Sequence, residues 1–251
     1  MVEVETKPLS CPNCRQSMQV HELERRDGGK LSIDLCFPCY AIWFDRWESV
    51  QLAPGAVIEL FKEIHTHRAE VRRPLGVQLG CPRCIKSLLI THDLSKTGPF
   101  SYYRCPQDHG RLTPFFEFLR EKQFVRTLNP AELIRVRAQI KQLMCSGCGA
   151  PIDLQTESKC SFCGAPIAVL DADAVDKGMR MWVEAQRKSD PQTLAERMKV
   201  LDNTSFQANK KSQDLSSIGL LLGHMQSGND LLDVSIGMLG DIFKSLGHSD
   251  P

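Results

Sequence analysis

Ten of eleven cysteines fall in C-x-x-C pairs along 251 residues, with short apolar runs of period two between the pairs and helical apolar stripes after them. These observations predict a small metal-stabilised α+β fold: three cysteine-rich hairpin units linked and flanked by helices, with an α-helical C-terminal tail. Apolar residues make up 42% of the chain and aromatics only 7%. The sequence therefore reads as several small units, each held by something besides a hydrophobic core.

The cysteines fall as Cys11/Cys14, Cys36/Cys39, Cys81/Cys84, Cys105, Cys145/Cys148 and Cys160/Cys163. Cys105 lacks a paired cysteine, but His109 follows it in C-P-Q-D-H-G. Adding that histidine gives three sets of four: Cys11, Cys14, Cys36, Cys39; Cys81, Cys84, Cys105, His109; and Cys145, Cys148, Cys160, Cys163. Two half-sites separated by a hairpin-sized loop have the spacing of a structural zinc ribbon. The sequence thus predicts three structural Zn2+ sites. Disulfides would leave an odd cysteine and need an export signal, whereas the N-terminus MVEVETKPLS is acidic and polar. Iron–sulfur ligands usually crowd into one run, and a redox C-x-x-C would not be expected five times over. Each set already holds four protein ligands, which leaves no position for a catalytic water.

Each element has its own local signal. Met18, Val20 and Leu23, then D-G-G, then Leu31, Ile33 and Leu35 read as a β-hairpin. Trp43, Phe44 and Trp47 are expected to pack against it. After Pro54-Gly55, the residues Val57, Ile58, Leu60, Phe61 and Ile64 form a helical stripe. The second unit repeats the theme with Leu88-Leu89-Ile90, a Thr97-Gly98-Pro99 turn, and Phe100 and Tyr102. Thr113-Pro114 reads as the N-cap and first residue of a helix carrying Phe115, Phe116, Phe118, Leu119 and Phe124. Asn129-Pro130 starts another, with Leu133, Val136, Ile140 and Leu143 at helical spacing. C-G-A-P-I is written twice around the third set, with glycine where a positive φ is needed. Val175 to Arg187 can be helical, residues 202–217 are polar, and Leu231, Leu232, Val234, Ile236, Met238, Leu239, Ile242, Phe243 and Leu246 trace an amphipathic helix. The implied division is 1–75, 76–128, 129–170 and 171–251.

The run C-F-P-C-Y-A-I-W-F-D-R-W-E-S from Cys36, together with C-P-N-C at Cys11, resembles the bacterial transcription-factor-IIB-type zinc-ribbon family. Cys39, Ile42, Trp43, Phe44, Asp45 and Glu48 fall on its pattern C-x-x-C-x-G-x-W-[LF]-D-x-x-E. The chain departs from it at Ala41 and Arg15, where glycines are usual. The resemblance covers residues 9–60 well and 79–128 loosely, and residues 145–167 look like a short double-knuckle ribbon. It implies a zinc-stapled hairpin and, by the family's name, an association with transcription.

Net charge is +1, so the whole chain lacks the footprint of a strongly basic nucleic-acid binder. The basic residues concentrate in 76–144, where Arg111, Arg120, Arg126, Arg135, Arg137 and Lys141, near Phe100, Tyr102 and Tyr103, outline a weak nucleic-acid surface. His65 and His67 stand two apart on a helix, hence on different faces, and the other histidines have no supporting cluster. The leading expectation is a cytoplasmic, non-catalytic zinc protein that binds a protein partner, or a second copy of itself, through its terminal helix. Transcription-associated nucleic-acid binding and a zinc-thiolate redox switch are the alternatives.

Overall fold

Alternating residues around Asp27-Gly28-Gly29 form the first hairpin of the computed structural model, which describes residues 8–67, 72–96, 98–185, 219, 222–223, 225, 230–232 and 234–237. Strands β1 (Gln19–Glu24) and β2 (Lys30–Cys36) pair antiparallel with Leu23 opposite Leu31. Strand β3 (Ala41–Phe44) returns along β2, and helices α1 (Glu48–Gln51) and α2 (Pro54–Thr66) follow. The second unit repeats the plan with β4 (Leu89–Ser95), β5 (Gly98–Arg104), β6 (Arg111–Pro114) and α3 (Phe115–Glu121). Then come β7 (Val125–Thr127), α4 (Pro130–Gln139), β8 (Gln142–Met144), β9 (Pro151–Asp153), β10 (Ala168–Leu170) and α5 (Ala172–Ala185).

The first two units are not separate beads. Strands β3 and β6 pair antiparallel and fuse the hairpins into one six-stranded sheet, β1-β2-β3-β6-β5-β4. The register has internal symmetry: Trp43, the seventh residue after Cys36, lies opposite Leu112, the seventh after Cys105. The two units are thus related by a pseudo-two-fold axis through that pair. A small core surrounds the axis and draws matched residues from each unit: Leu9 and Leu79, Cys11 and Cys81, Met18 and Leu88, Cys36 and Cys105, Trp43 and Leu112. Arg83 of the second unit grips Asp45 of the first with Nε to Oδ1 at 3.0 Å and Nη2 to Oδ2 at 2.5 Å. At Gly110 (φ 143°) a Cβ would overlap the Phe44 carbonyl oxygen and lie 2.9 Å from Trp43 Cζ2, so glycine lets the units approach.

The other face of the sheet carries the main core, and this corrects the expectation of units without one. Leu23, Ile33, Leu35, Ile42 and Phe44 meet α2, the phenylalanines of α3, the third unit and α5 in one continuous cluster. Phe61 packs edge-on against Phe115 and Phe124, and Phe44 lies 5.5 Å from Phe118. Helix α5 comes close to α2 because residue 178 is glycine; a Cβ there would sit 3.0 Å from Ile58 Cδ1 and from Phe124 Cε1.

Three local expectations change. Thr113 and Pro114 end β6, where they pair with Ile42 and Ala41, and α3 starts one residue later than read, at Phe115 with Pro114 rather than Thr113 as its N-cap. Proline lacks an N–H and fits a strand end as readily as a first helical turn. Leu143 lies in β8 rather than in α4, which stops at Ile140. Trp47, expected to pack, is 63% exposed at φ 71°, while Trp43 and Phe44 are buried. The cap at Asn129 forms as read: its side chain accepts from Glu132 N at 2.9 Å, and Glu132 Oε2 accepts from Asn129 N at 2.8 Å.

The tail is bound to the chain's own core where it is described. Leu231, Leu232 and Ile236 are buried within the main cluster. Asp230 accepts from Arg72 Nη1 at 3.2 Å and from Ser146 Oγ at 2.5 Å. Residues 202–217 and the rest of the amphipathic pattern, from Met238 to Leu246, lie outside the described residues. Among the described residues no helix is long and apolar enough to cross a membrane.

Thr113 is fully buried, and among the described residues its Oγ1 has no hydrogen-bond partner. Removing a desolvated hydroxyl at constant shape relieves its penalty. Thr113→Val is expected to raise stability by about 1 kcal/mol in urea unfolding of the metal-loaded protein.

Candidate metal centres

The C-x-x-C turns at Cys11, Cys81, Cys145 and Cys160 share a closing hydrogen bond, whereas in the turn at Cys36 it is Phe37 O that accepts, from Tyr40 N at 3.0 Å. The amide two residues after the first cysteine points at its sulfur: Asn13 N to Cys11 Sγ and Arg83 N to Cys81 Sγ at 3.4 Å, and Gly147 N to Cys145 Sγ at 3.4 Å. The residue four after that cysteine donates back to its carbonyl, as Arg15, Ile85, Gly149 and Gly164 do at 2.8 to 3.0 Å. That residue has a positive φ in all four turns: 63° at Arg15, 65° at Ile85, 76° at Gly149 and 73° at Gly164. Glycine serves the third unit as the doubled C-G-A-P-I motif suggests, whereas Arg15 and Ile85 hold the same conformation at a steric cost.

The hairpins then bring the second half-sites over. The ligand atoms of Cys11, Cys14, Cys36 and Cys39 lie within 4.8 Å of one another, as do those of Cys81, Cys84, Cys105 and His109, and those of Cys145, Cys148, Cys160 and Cys163. Individual edges are 3.6 Å for Cys14–Cys36, Cys84–Cys105 and Cys145–Cys163, and 3.7 Å for Cys148–Cys160. His109 offers Nδ1, at 3.5 Å from Cys105 Sγ and 3.9 Å from Cys81 Sγ. A tetrahedron of sulfurs about 2.3 Å from a central ion has edges of about 3.8 Å. All three sets are therefore geometrically suited to a metal ion. Sequence arithmetic finds His109 but not which ring nitrogen faces the sulfurs; the 105–109 turn decides that.

The electrostatics fit the same reading. Cys36 is pushed well up by the neighbouring sulfurs of Cys11 and Cys39 and by burial. Cys39 drops to about 2 as Cys11 and Cys36 donate to it, with Asn13 adding a further donor. Burial opposes ionisation of Cys105, but the backbone amides of His109 and Gln107 prevail and lower it to about 6. Crowded thiols thus hold protons around a thiolate that a divalent cation would replace.

Asn13 is a supporting residue that the sequence did not reveal. Its Nδ2 donates to Cys39 Sγ at 3.2 Å and to Pro74 O at 3.1 Å, and its Oδ1 accepts from Gly76 N at 2.8 Å. It fixes the last ligand of the first centre and ties down the connection to the second unit. Of the twelve ligands only Cys163 is exposed.

The basic surface does not assemble as the sequence suggested. Arg111 pairs with Glu121 at 2.5 Å and lies 4.4 Å over the Tyr102 ring, and Arg120 pairs with Glu117. Arg126 makes two bonds, at 2.7 and 2.8 Å, to the buried Glu132. Arg137 donates to Glu157 O at 3.1 Å. Phe100 is buried, Arg135 has partners too, and Lys141 is exposed. A cavity of about 340 Å³ opens between the first and third centres, lined by Cys39, Tyr40, Arg72, Ser146, Cys148 and Asp230. Of the two arginines that line it, Arg72 and Arg73, Arg72 stacks 3.7 Å over Tyr40 and pairs with Asp230 at 3.2 Å. No protein-family model matches the chain, and no curated protein or solved structure matches it.

Two predictions follow from this geometry. Asn13→Ala, which removes the donor to Cys39, is expected to weaken metal binding at the first centre by about 10- to 100-fold in chelator competition, with the other two centres unchanged. Glu48 is raised to about 7, chiefly by burial and partly offset by the Asp45 amide, with the carboxylates of Asp45 and Asp34 adding to the rise. A raised carboxyl stabilises the fold below its ordinary value of 4.5 and loses that stabilisation as pH climbs through 7. Urea unfolding should therefore show Glu48→Gln gaining on the parent protein as pH rises across that window.

Proposed function

We propose that this chain is a non-catalytic zinc protein whose three centres staple a rigid platform for binding another protein. The observation that carries the reading is the completeness of each ligand set: four donors at tetrahedral spacing leave no coordination position for substrate or water. Thiolate-rich sets with at most one imidazole favour zinc among the common divalent ions. The fused pair of hairpin units supports the resemblance to transcription-factor-IIB-type zinc ribbons, and the platform role rests on the same rigidity.

The internal ion pairs of Arg111, Arg120 and Arg126 weigh against a nucleic-acid surface, because charges already neutralised release few counterions on binding a phosphate backbone. The redox-switch reading has a single foothold in Cys163; the other eleven ligands are wholly or partly shielded, as structural sites are. Partner binding through the terminal helix requires the part of the tail beyond Ile236. The earlier turns supply Leu231, Leu232 and Ile236 to the chain's own core, at about 1.5–3 kcal/mol for each buried side chain.

Native mass spectrometry of the purified chain is expected to show three zinc ions per polypeptide, falling to two in each of Cys36→Ser, Cys105→Ser and Cys160→Ser. Cobalt substitution should give the visible spectrum of a tetrahedral thiolate-bound ion with no water ligand. Fewer ions, a water-ligated cobalt, or a chelated protein that keeps its full structure would each overturn the reading.

A further inference from the structure

The pseudo-two-fold axis allows the first two units to be compared position by position, and one group of differences stands out on the hairpin edge. Where the first unit has Arg15, Gln19 and Glu24, the second has Ile85, Leu89 and Leu94; Val20 corresponds to Ile90. The two units share one backbone plan, so these apolar side chains are not required by the fold. Nor are they buried by it: Ile85 is 83% exposed, Leu89 51%, Ile90 58% and Leu94 77%. Ile85 stands at φ 65°, the conformation its C-x-x-C turn imposes as at Arg15, and one that a β-branched residue adopts only under strain.

Their placement selects a mode of contact. Among the described residues, strand β4 is an outer edge of the six-stranded sheet, paired with β5 alone. Leu89 and Ile90 project to opposite faces of it. Apolar exposure on both faces of an edge strand fits the addition of another strand, which covers both, better than docking on one face. The opposite edge is built differently. Strand β1 carries Glu22 and Glu24, and its end is capped by Ala53 N donating to Glu24 O at 3.0 Å and Arg26 N donating to Gln51 O at 2.9 Å.

We propose that β4 is the interface through which two copies of this chain pair, antiparallel and two-fold, to continue the sheet. The strand is self-complementary. Read against itself about His92, which Ser101 Oγ holds at 2.8 Å, it sets Ile90 opposite Leu94 on both sides of the axis. Thr91 then faces Asp93, a hydroxyl to a carboxylate, and no two carboxylates meet. The same operation on β1 brings glutamate against glutamate or against Val20. The chain already joins its own units by antiparallel pairing with this symmetry, at Trp43 and Leu112. A two-fold interface closes on itself and ends the assembly at two. This pairing stands independently of the binding role proposed above, which survives if it fails.

The test is sedimentation of the metal-loaded full chain across about 1 to about 100 µM, the range suited to an interface at the small end of the specific size classes. The parent protein is expected to pass from monomer to dimer. The double variants Ile90→Lys/Leu94→Lys and Ile90→Glu/Leu94→Glu should each stay monomeric, because like charges then face each other twice. An equimolar mixture of the two should dimerise again, since every lysine meets a glutamate. Val20→Lys on β1 should leave the dimer intact, and an unchanged zinc count would show that all variants fold. A parent protein monomeric throughout overturns the proposal and leaves the edge to a strand from another protein. Double variants that still dimerise, or a mixture that does not, overturn it as well.

Discussion

Sulfur crowding is the constraint on which this fold depends. Four ligand atoms brought within 4.8 Å of one another in partly buried surroundings repel as thiolates and satisfy one another only through weak sulfur hydrogen bonds as thiols. A divalent cation resolves both problems, so binding energy at each centre becomes folding energy. The turns that place the sulfurs cost strain at Arg15 and Ile85 and aim amides at the sulfurs instead of at water. A bound ion would make such geometry the favourable state.

A second organising principle sits above the first. Two hairpin units that individually expose a sheet edge remove one edge each by pairing β3 with β6. The pairing buries matched residues around the axis, and the first and second centres flank that small core. The helices following each unit then lie on the far face, where their phenylalanines and the third unit complete the main core. A bound metal would fix the turns, and the hydrophobic effect fixes the arrangement of the units. The two outer edges remain: β1 carries Glu22 and Glu24 and ends in backbone bonds from Ala53 and Arg26, whereas β4 carries Asp93 amid the exposed Leu89, Ile90 and Leu94.

Charge follows the same logic of internal use. The excess of arginine between residues 76 and 144 looks like a surface when counted along the chain. In three dimensions Arg83, Arg111, Arg120 and Arg126 face Asp45, Glu121, Glu117 and Glu132. Three of these pairs, all but Arg120–Glu117, join segments that linear counting treats as separate, and Glu132 serves both an arginine and a helix cap. Partly buried pairs of this kind hold elements in register rather than present charge to a polyanion.

The sequence by itself determined what depends on near neighbours. Ligand spacing identified all twelve donors, including His109; alternation about a glycine turn gave the first hairpin; and the Asn129–Glu132 spacing gave a capping box, because each is a local geometric requirement. Tertiary structure decided what depends on partners far away in the chain. Thr113 and Pro114 carry a helix-start signal, yet Ile42 and Ala41 take them as strand partners. Trp43 and Trp47 look alike in sequence, but only Trp43 meets the other unit. The imidazole nitrogen of His109, the support from Asn13 and the burial of Leu231 and Ile236 likewise await contacts that no spacing rule encodes. Pairing across dozens of residues is settled by the joint burial and hydrogen bonding of the assembled sheet, a free energy that exists only once both partners are in place.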